Sequence, residues 1–135
     1  MDVFTPAERS RIMSRIRSTN TRPELLVRRL IYAMDFRYRL HRADLPGRPD
    51  LVFPSRKKVI FVNGCFWHRH QCQRGRRTPK TNADYWIEKR TRNAGRDQAN
   101  RRRLRHQGWD VLTVWECQLK DVEQLRDRLL SFLNQ

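Results

Sequence analysis

The run Val59-Ile60-Phe61-Val62, followed at once by Asn63-Gly64, narrows the possible folds of this chain more than any other feature. Four consecutive β-branched or aromatic residues suit a buried strand, and Asn-Gly leaves a strand by a sharp turn. The next residues, Cys65-Phe66-Trp67-His68-Arg69-His70-Gln71-Cys72, set two thiols and two imidazoles within eight positions. That is most of a zinc site, hung on the end of a core strand. Phe66 and Trp67 have no ligating role, and in a basic chain exposed rings read as wedges for stacked bases.

Lys and Arg number 30 against 14 Asp and Glu, a formal charge of +16. This excess is far beyond what solubility needs and points to a polyanionic partner. No run approaches about 18 apolar residues, and the N-terminus lacks the apolar stretch of a signal peptide, so a cytosolic, nucleoid-associated protein is expected rather than a membrane one. The 135 residues match a single domain over 1–135, with 1–20 as a basic arm. The three cysteines cannot close a disulfide framework, and in a reducing compartment clustered thiols bind metal.

Thr5-Pro6-Ala7-Glu8 has a capping-box pattern and predicts a helix from Pro6 to about Arg17. Arginines surround its few large apolar residues, Ile12, Met13 and Ile16. It is either a solvated basic helix or an arm on DNA with Met13 or Ile16 against the bases. Thr21-Arg22-Pro23-Glu24 repeats the pattern and opens a helix to about Met34, with Leu26, Leu30, Ala33 and Met34 as its core face. Glu24 then has a simple structural reading as the capping glutamate.

Phe36 to Leu40 alternates as a strand does, and Leu45-Pro46-Gly47-Arg48-Pro49 is a rigid loop. Asp50 stands at the mouth of Leu51-Val52-Phe53, which forms a hairpin with Val59 to Val62 and so brings Asp50 beside Asn63. Arg74 to Asn82 is a surface loop, and Asp84 to about His106 is helical. At about 100° per residue, Trp86, Lys89, Asn93, Asp97 and Asn100 share one polar face, either solvated or functional. Trp109 to Trp115 is a strand, and a final helix opened by Asp121 carries Val122, Leu125, Leu129, Phe132 and Leu133 at core spacing. The order of elements makes a mixed α/β domain.

Cys65, Cys72 and Cys117 with one histidine complete a Cys₃His tetrahedron, and spacing alone leaves both His68 and His70 open as the fourth ligand. A second, oxygen-ligated metal would be catalytic, with Asp50 the best carboxylate to hold Mg²⁺ against a phosphodiester.

Leu45-Pro46-Gly47-Arg48-Pro49-Asp50, Val59 to His68, and Val114-Trp115-Glu116-Cys117 closely resemble motifs of the very-short-patch-repair (Vsr) DNA mismatch endonucleases. The resemblance implies a restriction-endonuclease-like fold: a mixed sheet flanked by helices, with a structural zinc site. It also implies a Mg²⁺-dependent nick in double-stranded DNA, 5′ of the thymine in a T:G mismatch left by 5-methylcytosine deamination. The nick would be followed by downstream mismatch-repair proteins. By motif match, Asp50 and the backbone carbonyl of Val62 hold Mg²⁺, His68 transfers a proton and is oriented by Asp97, and Glu24 is an acidic member of the active site. Zn²⁺ takes Cys65, His70, Cys72 and Cys117. Phe66 and Trp67 enter from the major groove, Met13 approaches from the minor groove, and Lys89 and Asn93 meet the mismatched pair.

One position departs from that pattern: Asn63 stands where a histidine precedes Gly-Cys-Phe-Trp. Asparagine hydrogen-bonds but carries no proton at neutral pH, so an acid–base role at 63 is lost. Two other readings compete: a restriction or structure-selective endonuclease on the same scaffold, and a noncatalytic zinc-stabilised DNA-binding protein. No spare apolar helix face calls for a second subunit, which predicts a monomer.

Overall fold

A computed structural model describes residues 20–65, 70, 72 and 82–135. The expected N-terminal helix, Met13 and Ile16 on it, and most of the loop from Arg74 lie outside the described residues. The chain runs α1 (Arg22–Ala33), β1 (Arg39–Leu40), β2 (Leu51–Phe53), β3 (Lys58–Asn63), α2 (Ala83–His106), β4 (Asp110–Trp115) and α3 (Val122–Leu133). Short 3₁₀ turns occupy Pro54–Arg56 and Glu116–Lys120. The sheet order is β1-β2-β3-β4, with β1, β2 and β3 antiparallel and β3 parallel to β4.

Strand alternation divides the core into two layers. Leu51, Phe53, Ile60 and Val114 pack with Val27 and Ile31 of α1 and with Leu125, Leu129, Phe132 and Leu133 of α3. Val52 and Val59 face the other way and pack with Leu104 of α2, Trp109 and Leu45. The sheet is therefore covered on both faces, and the strands carry apolar residues on both sides.

Three sequence expectations shift. On α1 the fully buried residues are Glu24, Val27 and Ile31, while Leu30 and Met34 are only partly buried and Ala33 is exposed. The inward stripe follows i, i+3, i+7 from Glu24, so a carboxylate heads the core face. Phe36 belongs to the end of α1 and not to a strand. Its N–H donates to Ile31 O at 3.3 Å and Asp35 N–H donates to Tyr32 O at 3.0 Å, with Asp35 in the left-handed region at φ 68°. These bonds close a Schellman motif without glycine, and β1 shrinks to Arg39–Leu40. Val122 is 39% exposed, because Asp121 caps α3 through Gln124 N–H and leaves the first turn at the surface.

The same closure recurs at the end of α2, now with glycine. Trp109 N–H donates to Leu104 O and Gly108 N–H to Arg105 O, both at 3.0 Å, with Gly108 at φ +90°. Gly47, in the loop before β2, is also left-handed at φ +76°, and a Cβ there would meet Asn100 of α2 at 3.0 Å. At Gly108 a Cβ would meet nothing within 4 Å. Gly108→Ala should thus cost about 1 kcal/mol of backbone strain, and Gly47→Ala clearly more, because clash adds to strain. Urea unfolding of the two variants measures the difference; equal losses would mean that Asn100 yields freely.

Candidate active site and metal centre

Glu24 enters the site through the start of α1. Thr21 caps the helix by accepting the Glu24 N–H at 3.3 Å, as the sequence predicts. The glutamate side chain is not the capping glutamate that the sequence suggests: its carboxylate takes the N–H of Asn20, one residue before the cap, rather than that of Thr21. It is 1% exposed, and Oε1 accepts the Asn20 N–H at 3.3 Å while Oε2 accepts from Arg28 at 3.2 Å. His41 Nε2 lies 3.0 Å from both oxygens.

Asp50 sits just before β2 and reaches across to β3, where its Oδ2 accepts the Val62 N–H at 2.7 Å. The β2–β3 register pairs Leu51 with Ile60 and Val52 with Val59, so its continuation sets Pro49 opposite Val62. Proline has no N–H to give. In an extended strand a residue's N–H and C=O face the same edge, so the Val62 carbonyl points to the Asp50 side, where the opposing strand offers it no donor. The hairpin thus brings Asp50 to the end of β3, as expected, with Val62 rather than Asn63 as its direct partner. Asn63 is buried, in register with Trp115, and alternates onto the α2 side with Val59 and Phe61.

Ligand atoms of Glu24, His41 and Asp50 all lie within 4.8 Å of one another. Burial pushes the Asp50 carboxyl up to about 7; the Val62 N–H opposes the shift, and the nearby Glu24 charge adds to it. Two crowded carboxylates, one reluctant to ionise, form a donor set that a divalent cation would complete.

A second cluster lies past the same end of the β3–β4 pair, beyond Asn63 and Trp115. Ligand atoms of Cys65, His70, Cys72 and Cys117 also fall within 4.8 Å of one another. Cys117 N–H donates to Cys65 Sγ at 3.3 Å, and Cys117 Sγ is 3.5 Å from His70 Nδ1. The His70 ring stacks on Trp115 with centroids 4.3 Å apart. Burial, and next the neighbouring thiols Cys72 and Cys117, push the Cys65 thiol up to about 12, against the Cys117 N–H that lowers it. Three thiols and an imidazole so placed suit a thiophilic cation that would strip their protons. Among the described residues the imidazole of this group is that of His70. His68, Phe66 and Trp67 lie outside them.

The predicted polar face of α2 turns inward. Trp86, Lys89, Asn93, Asp97 and Asn100 are all partly buried, whereas Tyr85, Ile87, Glu88, Arg92 and Arg96 are exposed. Asn93 accepts from Arg96 at 2.7 Å. Further along α2, Gln98, Arg101, Arg102, Arg105 and His106 line a concave basic surface.

Sequence reasoning missed His41, Arg28 and Asn20. Arg28 was available as the i+4 partner of Glu24. His41 was available too, because an antiparallel β1 pairing Leu40 with Leu51 sets position 41 opposite Asp50.

Residues 1–74 match the family model for the DNA mismatch endonuclease Vsr. The chain is 48% identical over 133 residues to the type II nicking enzyme V.XorIIP of Xanthomonas oryzae pv. oryzae, covering 98% of this chain and 97% of that protein. The chain belongs to the Vsr endonuclease family. It is also 40% identical over 130 residues to the DNA mismatch endonuclease Vsr of Escherichia coli K12, covering 96% of this chain and 83% of that one. Among solved structures, the catalytic domain of homing endonuclease I-Bth0305I superposes with a TM-score of 0.56 at 21% identity, covering 84% of this chain and 94% of that chain. The fold is thus restriction-endonuclease-like, and this Vsr-family protein is a DNA endonuclease with two groups of residues that could hold a metal ion.

Asp50 also sets a pH dependence. Its folded pKa of about 7 exceeds its ordinary 3.8, so proton binding favours the folded state. That stability is complete below about pH 4 and is lost as pH rises through about 7. Asp50→Asn, whose amide oxygen still accepts the Val62 N–H, should gain about 1–3 kcal/mol over wild type at pH 8 in Mg²⁺-free buffer, and nothing at pH 4. Chemical denaturation at both pH values checks the crossover.

Proposed function

We propose that this Vsr endonuclease nicks double-stranded DNA 5′ of the thymine in a T:G mismatch, by Mg²⁺-dependent phosphodiester hydrolysis that starts very short patch repair. The observation that carries the reading is the Glu24–His41–Asp50 cluster at the end of the sheet, beside the Val62 carbonyl, in a chain whose relatives are named as mismatch endonucleases and nicking enzymes.

Asp50 and the Val62 carbonyl would hold Mg²⁺, which when bound polarises a phosphodiester and makes water a better nucleophile. Val62 N–H fixes the Asp50 rotamer, so the carboxylate loses little freedom on meeting its ligand. Glu24, held from three sides by Asn20, Arg28 and His41, keeps negative charge beside Asp50 without swinging into solvent. His68 would handle the proton, oriented by Asp97. Asn63 contributes hydrogen bonding only.

Cys65, His70, Cys72 and Cys117 would hold a structural Zn²⁺ that ties the segment after β3 to the turn after β4. Phe66 and Trp67 would wedge the mismatched step open, with Met13 and Ile16 opposite them. Lys89 and Asn93 would meet the mismatched pair, a role that their inward, partly buried positions support. Arg101, Arg102 and Arg105 suit flanking phosphates.

The decisive test is strand-labelled cleavage of a T:G duplex and its matched T:A control with Mg²⁺, in several flanking sequences. One nick 5′ of the mismatched thymine is expected, reduced at least about a thousandfold by Asp50→Ala. Equal cutting of the control would exclude mismatch specificity, and no cutting with binding retained would mean a noncatalytic binder. Elemental analysis should independently find about one Zn per chain; its absence would remove the structural-zinc assignment.

A further inference from the structure

We infer that His41 supplies a nitrogen ligand to the Asp50 metal centre, giving it a higher affinity for Mn²⁺ than an oxygen-only site would have. The inference deepens the proposed function and rests on its reading of Asp50 as a metal ligand.

The backbone delivers His41 to this place. Its N–H donates to Asp50 O at 3.3 Å, continuing the β1–β2 pairing one step beyond Leu40 and Leu51. Its carbonyl accepts from Arg48 Nε at 3.4 Å, and its φ of +48° lies in the left-handed region, where a non-glycine residue is strained. The imidazole is 13% exposed and ends on the Glu24 carboxylate, next to the Asp50 oxygens.

The placement fits coordination better than counter-charge. Glu24 already receives the Arg28 guanidinium on one oxygen and the Asn20 N–H on the other, so its charge is met without an imidazolium. Nε2 is 3.0 Å from both oxygens, on the bisector of the carboxylate, whereas a single N–H bond would favour one of them. Two ligands at right angles on an ion at about 2.1 Å are themselves about 3.0 Å apart. An imidazole among carboxylates shifts preference from Mg²⁺ and Ca²⁺ towards softer divalent ions.

The test uses full-length protein with its zinc retained, so that added Mn²⁺ meets only the oxygen–nitrogen centre. Mn²⁺ binding is followed by electron paramagnetic resonance, including the modulation from ligating ¹⁴N, and Mg²⁺ affinity is obtained by competition. Wild type is compared with His41→Gln, His41→Asn and Asp50→Ala, each checked for folding by circular dichroism. Asparagine tolerates the left-handed backbone, so at least one position-41 variant keeps the local fold. Both position-41 variants should lose the ¹⁴N modulation and about tenfold in Mn²⁺ affinity, while Mg²⁺ affinity changes by less than about threefold. Parallel loss of both ions would make His41 a support for Glu24 and overturn the ligand assignment, as would ¹⁴N modulation that survives. If Asp50→Ala binds Mn²⁺ as wild type does, the metal-centre reading itself falls; if only Asp50→Ala loses binding, that reading stands and the inference about His41 falls.

Discussion

The hydrogen bond from Val62 N–H to Asp50 Oδ2 is the constraint on which the candidate active site of this molecule depends. At that point the β2–β3 ladder changes from main chain to side chain. Pro49 ends the run of donors, Asp50 turns its carboxylate inward to take the N–H that the ladder leaves over, and the Val62 carbonyl faces the same edge. One proline and one aspartate thus convert the end of a hairpin into a pair of oxygen donors. Burying that carboxylate beside Glu24 raises its pKa, and so destabilises the metal-free fold. Stability has been exchanged for a site that favours a cation.

The rest of the fold answers to that end of the sheet. Glu24 heads the stripe that continues through Val27 and Ile31, so the packing of α1 on the sheet aims the glutamate at Asp50. The Schellman closure at Asp35 and Phe36 turns the chain straight from α1 into β1, and the next residue after that short strand is His41. Gly47 lets the loop before Asp50 lie against Asn100 of α2. Lys58, at the opposite end of β3, is buried with its ammonium on the Phe132 carbonyl at the C-terminal end of α3, where a cation is favoured. Each device is local, and together they leave little freedom in how the acidic residues meet.

The elements with strong periodicity were legible from sequence: β3 and β4 to within a residue, α2, α3, and the convergence of the four zinc-type ligands. The misreadings have physical causes. The alternation from Phe36 to Leu40 reads as a strand because the left-handed residue that ends α1 is Asp35, and the sequence signal for that closure is normally glycine. Hydrophobic pattern alone sets the core face of α1 one residue off, because a carboxylate in a core stripe runs against it, yet Glu24 is buried there. His41 went unseen because β1 is only two residues long and its register with β2 is a long-range fact. The polar face of α2 is visible as a pattern, but its partial burial is not, because that depends on the tertiary packing of the helix.

The two candidate centres are not independent, because β3 and β4 feed both. Asn63 is in register with Trp115, Trp115 stacks on His70, and Cys65 and Cys117 each follow two residues later on their strands. A cation among the thiols would therefore clamp the parallel pair just beyond Asn63 and Trp115, where main-chain pairing stops. In that position Asn63 has a clear structural role. It is buried, pairs in register and brings no ionisable group into a region where Asp50 already resists its charge. A titrating side chain at 63 would add a further desolvated group at that end of the sheet, whereas a neutral amide does not.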